Sequence, residues 1–349
     1  MQIHLEESLK IVRSIALALA LLFACATAWL LHAAIYPSRP VGFQILGVAD
    51  GQHAVIPVAI YYPTTARPLP LTLAGMNLID VAKDGAVSGQ GLPLVVMSHG
   101  SGGTPFSHVD LALALAQQGF VVAAPMHPGD NYADQSAVGS ARWLPDRTHQ
   151  LHATIDFMLG SWEGHERIDP RRVGAFGFSA GGFTVLAAAG AEPDRGRIGR
   201  HCAKTDEFAC RLLRETKSPL LKLTDVPSGI DSFDHDARIK AVVAVAPGLG
   251  FAFTRDGLTH LTVPLQLWTG TADETVPTAT NAGAIRLAMG PAAELHEVKG
   301  ASHYSFLAPC RLFGPPQLCN DSRGFDRDQT HAEMNARIED FFAHSLLSR

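Results

Sequence analysis

The chain has 349 residues, 47% of them hydrophobic and 17% charged, with a formal net charge of −5 at pH 7. That balance is globular, with ample material for a core, and at roughly 150 residues per domain the length suggests about two domains or one long α/β sheet. No basic stripe is present to meet nucleic-acid phosphates, so a nucleic-acid partner is not expected.

The N-terminus is the compositional outlier. Residues 14–35, "SIALALALLFACATAWLLHAAI", carry no formal charge and follow Lys10 and Arg13. At about 1.5 Å rise per residue, a helix of this length crosses a hydrocarbon layer of ~30 Å. A cleaved signal peptide and an uncleaved signal anchor both fit. Ala26-Thr27-Ala28 supplies a small-residue cleavage pattern, but the apolar run exceeds the ~7–15 residues usual for a signal core. A lipoprotein site at Cys25 is weaker, because Phe23 is too bulky for the pattern that should precede it. The two cations would hold that end in the cytoplasm and send the remainder outward. Residues 1–36 are therefore set apart as a signal peptide or anchor, and 37–349 as the folded domain.

From residue 43 onward short apolar runs alternate with helical periodicity. Residues 43–49 and 54–63, rich in β-branched and aromatic side chains, predict antiparallel opening strands. "LPLVVMSHG" (92–100) is a continuous apolar run, as in a strand buried on both faces. A helix is expected over 109–119, ending at a glycine, then a strand over 120–130 and an amphipathic helix over 146–162. "RRVGAFGFS" (171–179) is the next strand and 181–191 the next helix. Three more strands follow at 239–248, 263–273 and 293–303, with a helix at 279–289 and a closing amphipathic helix at 331–347. Alternating strands and helices imply parallel pairing through right-handed crossovers, hence a mostly parallel, eight-stranded, doubly wound sheet. One segment, 191–236, is polar and too long for an ordinary connection of ~2–6 residues. It reads as a cap or lid insertion.

Beside Cys25 there are four cysteines, in two close pairs within loop-like segments. Disulfides Cys202–Cys210 and Cys310–Cys319 are the economical reading and point to an oxidising, exported location, periplasmic or secreted. Zinc fits poorly, since neither pair has a short CxxC spacing. Free thiols are the remaining alternative.

Ligands of an open parallel sheet sit beyond the carboxyl ends of its strands. Three strands deliver chemistry there. Gly177-Phe178-Ser179-Ala180-Gly181 places G-x-S-x-G between a strand and a helix, where small neighbours at Gly177 and Gly181 let a strained turn lift the hydroxyl above the sheet. A packing turn is the bland alternative. Asp273, with Glu274 beside it, lies just past the 263–269 strand and can fix a histidine tautomer; a turn or cap role is its alternative. Among 16 histidines, His303 follows both serine and acid at a strand end, whereas His296, His331 and His344 read as structural or solvent-facing. The glycine-rich "SHGSGG" loop can aim the Ser101 N–H, together with that of Ala180, at a developing oxyanion. It lacks the Lys-Ser/Thr of a phosphate-binding loop. No set of residues has the spacing of a metal site, and no cofactor is called for.

On "VVMSHGSGG", "GFVVAAPMHPGDN", "RRVGAFGFSAGG", "GTADETVP" and "GASHYSF", spread over about 92–306, the chain resembles the α/β-hydrolases. Within them it is similar to bacterial predicted dienelactone hydrolases and platelet-activating-factor acetylhydrolase-like serine esterases. The resemblance implies an α/β-hydrolase fold, a triad of Ser179, Asp273 and His303, an oxyanion hole at Ser101 and Ala180, and small or short-acyl esters, phospholipid-like ones included, as substrates. Two departures stand out. Dienelactone hydrolases use a cysteine nucleophile, so the lactone activity does not carry over. Many relatives also have histidine where Phe178 stands. The expectation is a serine esterase acting on a small-molecule ester, with residues 14–35 as a candidate membrane tether. A polyester or cutin-like hydrolase, a peptidase of the same chemistry, and a non-catalytic binding protein of this fold are the alternatives.

Overall fold

The computed structural model describes residues 2–51, 55–73, 77–222, 233–312 and 314–348. A long helix α1 (Gln2–Ala33) precedes four strands: β1 (Val41–Ala49), β2 (Val55–Pro63), β3 (Leu69–Leu73) and β4 (Asn77–Lys83). Then β5 (Leu92–Ser98), α2 (Val109–Gln117), β6 (Val121–Pro125), α3 (Trp143–Gly160), β7 (Ile168–Phe178) and α4 (Ala180–Ala188) alternate. Two short helices, α5 (Gly196–Cys202) and α6 (Phe208–Glu215), interrupt the alternation before β8 (Ile239–Val245) and α7 (Arg255–Leu258). The chain closes with β9 (Leu265–Gly270), α8 (Ala282–Met289), β10 (Ala293–Val298), α9 (Pro316–Cys319) and α10 (Arg327–Leu347).

The ten strands among the described residues form one sheet in the order β10-β9-β8-β7-β5-β6-β2-β1-β4-β3. From β6 to β10 every pairing is parallel, while β1 and β2 pair antiparallel with each other and β2 antiparallel with β6. The expected count of eight strands is corrected to ten: β3 and β4 extend the sheet beyond β1. β3, of five residues, forms the far edge and carries Pro70 where an edge tolerates a missing donor, and β4, of seven, lies between it and β1.

Side chains alternate strictly across the central strands, as a pleat requires. Leu94 and Val96 of β5 and Val173 and Ala175 of β7 pack on one face with α3 and α4. Val95 and Met97, with Phe176 and Phe178, pack on the other with α2 and α10. Both faces are covered, which is why the central strands read as continuous apolar runs. The chain passes from β5 to β6 on one side and to β7 on the other, so the topological switch point falls between β5 and β7. Ligand sites of open α/β sheets lie at that point.

Helix α1 contains one stretch, Lys10–Leu30, long and apolar enough to cross a membrane, with a mean hydropathy of 2.1 and none of it buried. The segment expected to form a cap begins by pairing with the chain after β8, through Glu192 N–H to Gly257 O and Asp194 N–H to Ala252 O. Residues 223–232 of that segment lie outside the described residues. It returns along α3 and α4, where Asp234 N–H donates to Thr148 Oγ1 and Asp236 N–H to Ala188 O. Both expected disulfides are present, Cys202–Cys210 with a Cα–Cα distance of 5.1 Å and Cys310–Cys319 with 5.6 Å.

Candidate active site

Ser179 sits between β7 and α4 with φ 56° and ψ −118°, a backbone conformation that costs a non-glycine residue energy. Its N–H donates to Val245 O and its carbonyl accepts from Gly248 N–H, so the turn is clamped to the end of β8. The flanking glycines are required sterically. A Cβ on Gly177 would overlap the Gly181 backbone, and one on Gly181 would overlap the Ser98 carbonyl.

The structure brings Ser179, His303 and Asp273 into one hydrogen-bonded chain. Ser179 Oγ donates to His303 Nε2 at 3.0 Å, and His303 Nδ1 donates to Asp273 Oδ2 at 2.8 Å. Asp273 Oδ1 is occupied by the Thr275 and Val276 N–H groups at 2.9 and 2.8 Å, which fixes the carboxylate plane. Glu274, its neighbour, is exposed and takes no part. Phe178 lies against the imidazole, ring centroids 4.8 Å apart, and packs edge-on with His108 at 5.3 Å. Of the other histidines considered, His296 stacks on Trp268, His344 is exposed, and His331 is buried in an ion pair with Asp110.

The glycine-rich loop after β5 lies directly against the serine turn: a Cβ on Gly100 would fall 3.3 Å from Ser179 Cβ. Among the described residues neither the Ser101 N–H nor the Ala180 N–H has a protein acceptor. Sequence reasoning missed what holds this loop. Asp130, from the "HPGD" segment after β6, accepts Ser101 Oγ–H at 2.7 Å and Gly102 N–H at 2.9 Å on Oδ1. Its Oδ2 accepts Trp143 Nε1–H and Arg147 at 2.6 Å each. Arg147 reaches in from α3 and donates also to Thr184 Oγ1, Ser98 Oγ and His99 O. Both members of this ion pair are 1% exposed. Although burial alone would raise the Asp130 pKa, Arg147, Trp143 and Ser101 outweigh it and the net shift is downward. The signals in the sequence are Asp130 inside the "GFVVAAPMHPGDN" motif, to which the pattern attaches no role, and an arginine on the apolar face of a helix, which periodicity treats as a solvent-facing exception.

Two histidines complete the loop's support. His99 Nδ1–H donates to Gly100 O and its Nε2 accepts His127 N–H. His127 Nδ1–H donates to Gln150 Oε1 while Nε2 accepts Ser98 Oγ–H. Each therefore has one donor and one acceptor nitrogen, the neutral form. Burial, then the Arg147 charge, lowers the His99 pKa to about 3 and takes that of His127 well below its ordinary value. Among the described residues no three His, Cys, Asp or Glu side chains gather to hold a metal ion.

Strand order, the strained serine turn at the switch point, and acid and histidine beyond two later strands define an α/β-hydrolase fold. No family model matches the sequence, and no curated protein matches it. Among solved structures, a ferulic acid esterase from Streptomyces cinnamoneus superposes with a TM-score of 0.57, covering 90% of this chain and 94% of that one at 16% identity. A dienelactone hydrolase from Anabaena variabilis aligns with a TM-score of 0.48 over 87% of this chain and 98% of that one, also at 16% identity.

Proposed function

We propose that the protein is a serine hydrolase of carboxylic esters. The observation that carries this reading is the Ser179–His303–Asp273 hydrogen-bond chain, set at the switch point beside two backbone N–H groups that have no acceptor among the described residues. His303 takes the Ser179 proton as Oγ attacks the ester carbonyl, and Asp273 holds the imidazole tautomer and stabilises the cation that forms. The oxyanion is received by the Ser101 and Ala180 N–H groups. The alcohol leaves with the proton from His303. Water, deprotonated by the same histidine, then releases the acid from the acyl-enzyme.

Small or short-acyl esters, including acetylated phospholipid-like ones, are the substrate class that the sequence resemblance favours. Export to an oxidising compartment, periplasmic or secreted, is supported by the two disulfides and by the apolar N-terminal helix, which serves as signal or anchor. The insertion, whose described stretches are 191–222 and 233–236, is assigned the part of a cap in this proposal. The test is labelling by a fluorophosphonate probe combined with a chain-length series of p-nitrophenyl esters. Wild type is expected to be labelled and to turn over acetate and butyrate esters, and Ser179→Ala to lose both. A folded wild type that is neither labelled nor active sinks the reading.

A further inference from the structure

We infer that the buried Asp130–Arg147 pair is the positioning device of the oxyanion hole, fixing the loop that carries the Ser101 N–H against the helix that carries the Ala180 N–H. The inference rests on the esterase reading and adds to it which residues set the donor geometry.

The two donors come from different parts of the chain. Ser101 lies in a loop after β5 and Ala180 at the first turn of α4; the sheet pairs the two strands as far as Ser98 and Gly177, and beyond those residues it no longer holds the donors. Arg147 touches both. Its guanidinium donates to His99 O and Ser98 Oγ at the base of the loop, and its Nε donates at 3.0 Å to Thr184 Oγ1. Thr184 Oγ–H in turn donates to Ala180 O at 2.9 Å, so the arginine reaches the first residue of α4 through one hydroxyl. Asp130 closes the frame from the opposite side, gripping Ser101 Oγ and Gly102 N–H with one oxygen and Arg147 with the other. Arg147 thus bonds both to the loop and to the hydroxyl behind the helix.

The chemistry needs this rigidity. Oxyanion donors act only if they already stand about 2.7–3.1 Å from where the charge will develop, with no reorganisation left to perform. A loop with glycines at 100, 102 and 103 does not hold such a position unaided. Gly102, at φ +67°, shows how far its backbone departs from ordinary conformations. The planar guanidinium fork suits the task because its donors keep fixed relative directions, which a lysine ammonium on a flexible stem cannot reproduce. Neither Asp130 nor Arg147 touches the reacting atoms. Both act through the backbone they position.

Fold maintenance alone would require the same pair to be buried, so the test must read the oxyanion directly. A thionoester develops its negative charge on sulfur, which is larger and a poorer acceptor, and gains less from donors spaced for oxygen. The ratio of kcat/KM for matched ester and thionoester substrates therefore reports donor geometry, while loss of folded protein lowers both rates alike. Arg147→Lys is expected to lower kcat on the ester by about ten- to a hundredfold, part of the ~10²–10³ that removal of a whole donor costs. KM should change less than about threefold and the ester-to-thionoester ratio should collapse. Thr184→Val and Ser101→Ala each cut one arm at the edge of the network, and serve if Arg147→Lys does not fold. Each should lower the ratio by several-fold, Ser101→Ala with a melting temperature near that of wild type and Thr184→Val with a lower one, because the buried Arg147 Nε loses its acceptor. Folded variants that keep the wild-type ratio, in an enzyme that is active and labelled at Ser179, overturn the inference alone. A wild type inert to esters and to fluorophosphonate overturns the esterase reading and the inference together.

Discussion

Phe178 shows what one residue can do that sequence reasoning could not reach. It precedes the serine in a buried strand, and the sequence marks it as a departure from the histidine of many relatives without showing what it does. In the fold its side chain is 3% exposed and lies against the imidazole of His303 on one side and His108 on the other. It therefore keeps water from one face of the histidine and limits the ring's rotation about the bond to Asp273. Phe178→Ala should lower stability by about 3–5 kcal/mol through the cavity it leaves. In addition, kcat should fall with KM little changed, since His303 is left free to turn away from Ser179. Denaturation midpoints and ester kinetics on the same sample separate the two. A destabilised variant with wild-type kcat would show that Phe178 is core and nothing more. Ser179, Asp273 and His303, by contrast, were readable because each lies within a few residues of the end of a recognisable strand (Phe178, Gly270 and Val298), and strand ends can be read locally. Asp130 and Arg147 were not, because their meaning arises only when α3 crosses behind the loop after β5.

At the scale of elements, the central strands and the helices covering them were legible from apolar runs and periodicity. The hairpin-like edge was not. β3 is five residues long and contains a proline, β4 mixes Asn77, Asp80 and Lys83 among its apolar residues, and the two are held by pairing with each other and, for β4, with β1 rather than marked by their own pattern. The helix expected over 331–347 in fact starts at Arg327, where the Asp326 side chain accepts Gln329 N–H as an N-cap. That first turn matters to the site. Arg327 grips Asp321 and the Leu318 carbonyl, Asp321 accepts Ser305 Oγ–H, and Ser305 belongs to the turn that begins with His303. The disulfide Cys310–Cys319 closes the loop between them. Replacing both of its cysteines by serine should cost about 2–3 kcal/mol by chain entropy for a loop of this size. It should also reduce kcat, because the histidine turn loses a strap. The same exchange at Cys202 and Cys210, far along the chain from that turn, should lower stability with the smaller effect on kcat. Intact mass before and after reduction should differ by four hydrogens. If the Cys310/Cys319 double variant is as active as wild type, the strap is dispensable.

Across the whole molecule, five histidines with displaced pKa values fall into two opposed groups, and their balance sets how stability depends on pH. His99, His127 and His108 are neutral in the fold: burial is the leading cause in each, with pKa values of about 3 for His99 and about 4 for His108 and a strong lowering for His127. In the unfolded chain each returns to about 6.5. Below that pH the unfolded state binds more protons than the fold, so stability falls as pH drops. The slope is on the order of 1.4 kcal/mol per pH unit for each group fully engaged. His331 is the reverse case. Both its ring nitrogens face acceptors, Asp110 Oδ2 at 2.6 Å and Ser305 O at 2.9 Å, which calls for the cation. Burial and the Arg327 charge work against that cation, but Asp110 and the Ser305 carbonyl outweigh them and the pKa is raised. His149, held between Asp234 and the Asp50 carbonyl, is raised in the same way. Their contribution is complete below about 6.5 and is lost as pH rises through the raised values. The two slopes meet near pH 6.5, where stability should peak rather than extend as a plateau. Urea midpoints between pH 4.5 and 9 should trace this dome, and His331→Gln should flatten its alkaline side while leaving the acid side in place. A midpoint that stays level from pH 6.5 down to 4.5 would mean that the histidines behind the glycine-rich loop accept protons without cost. The neutral tautomers required by their hydrogen bonds would then be wrong.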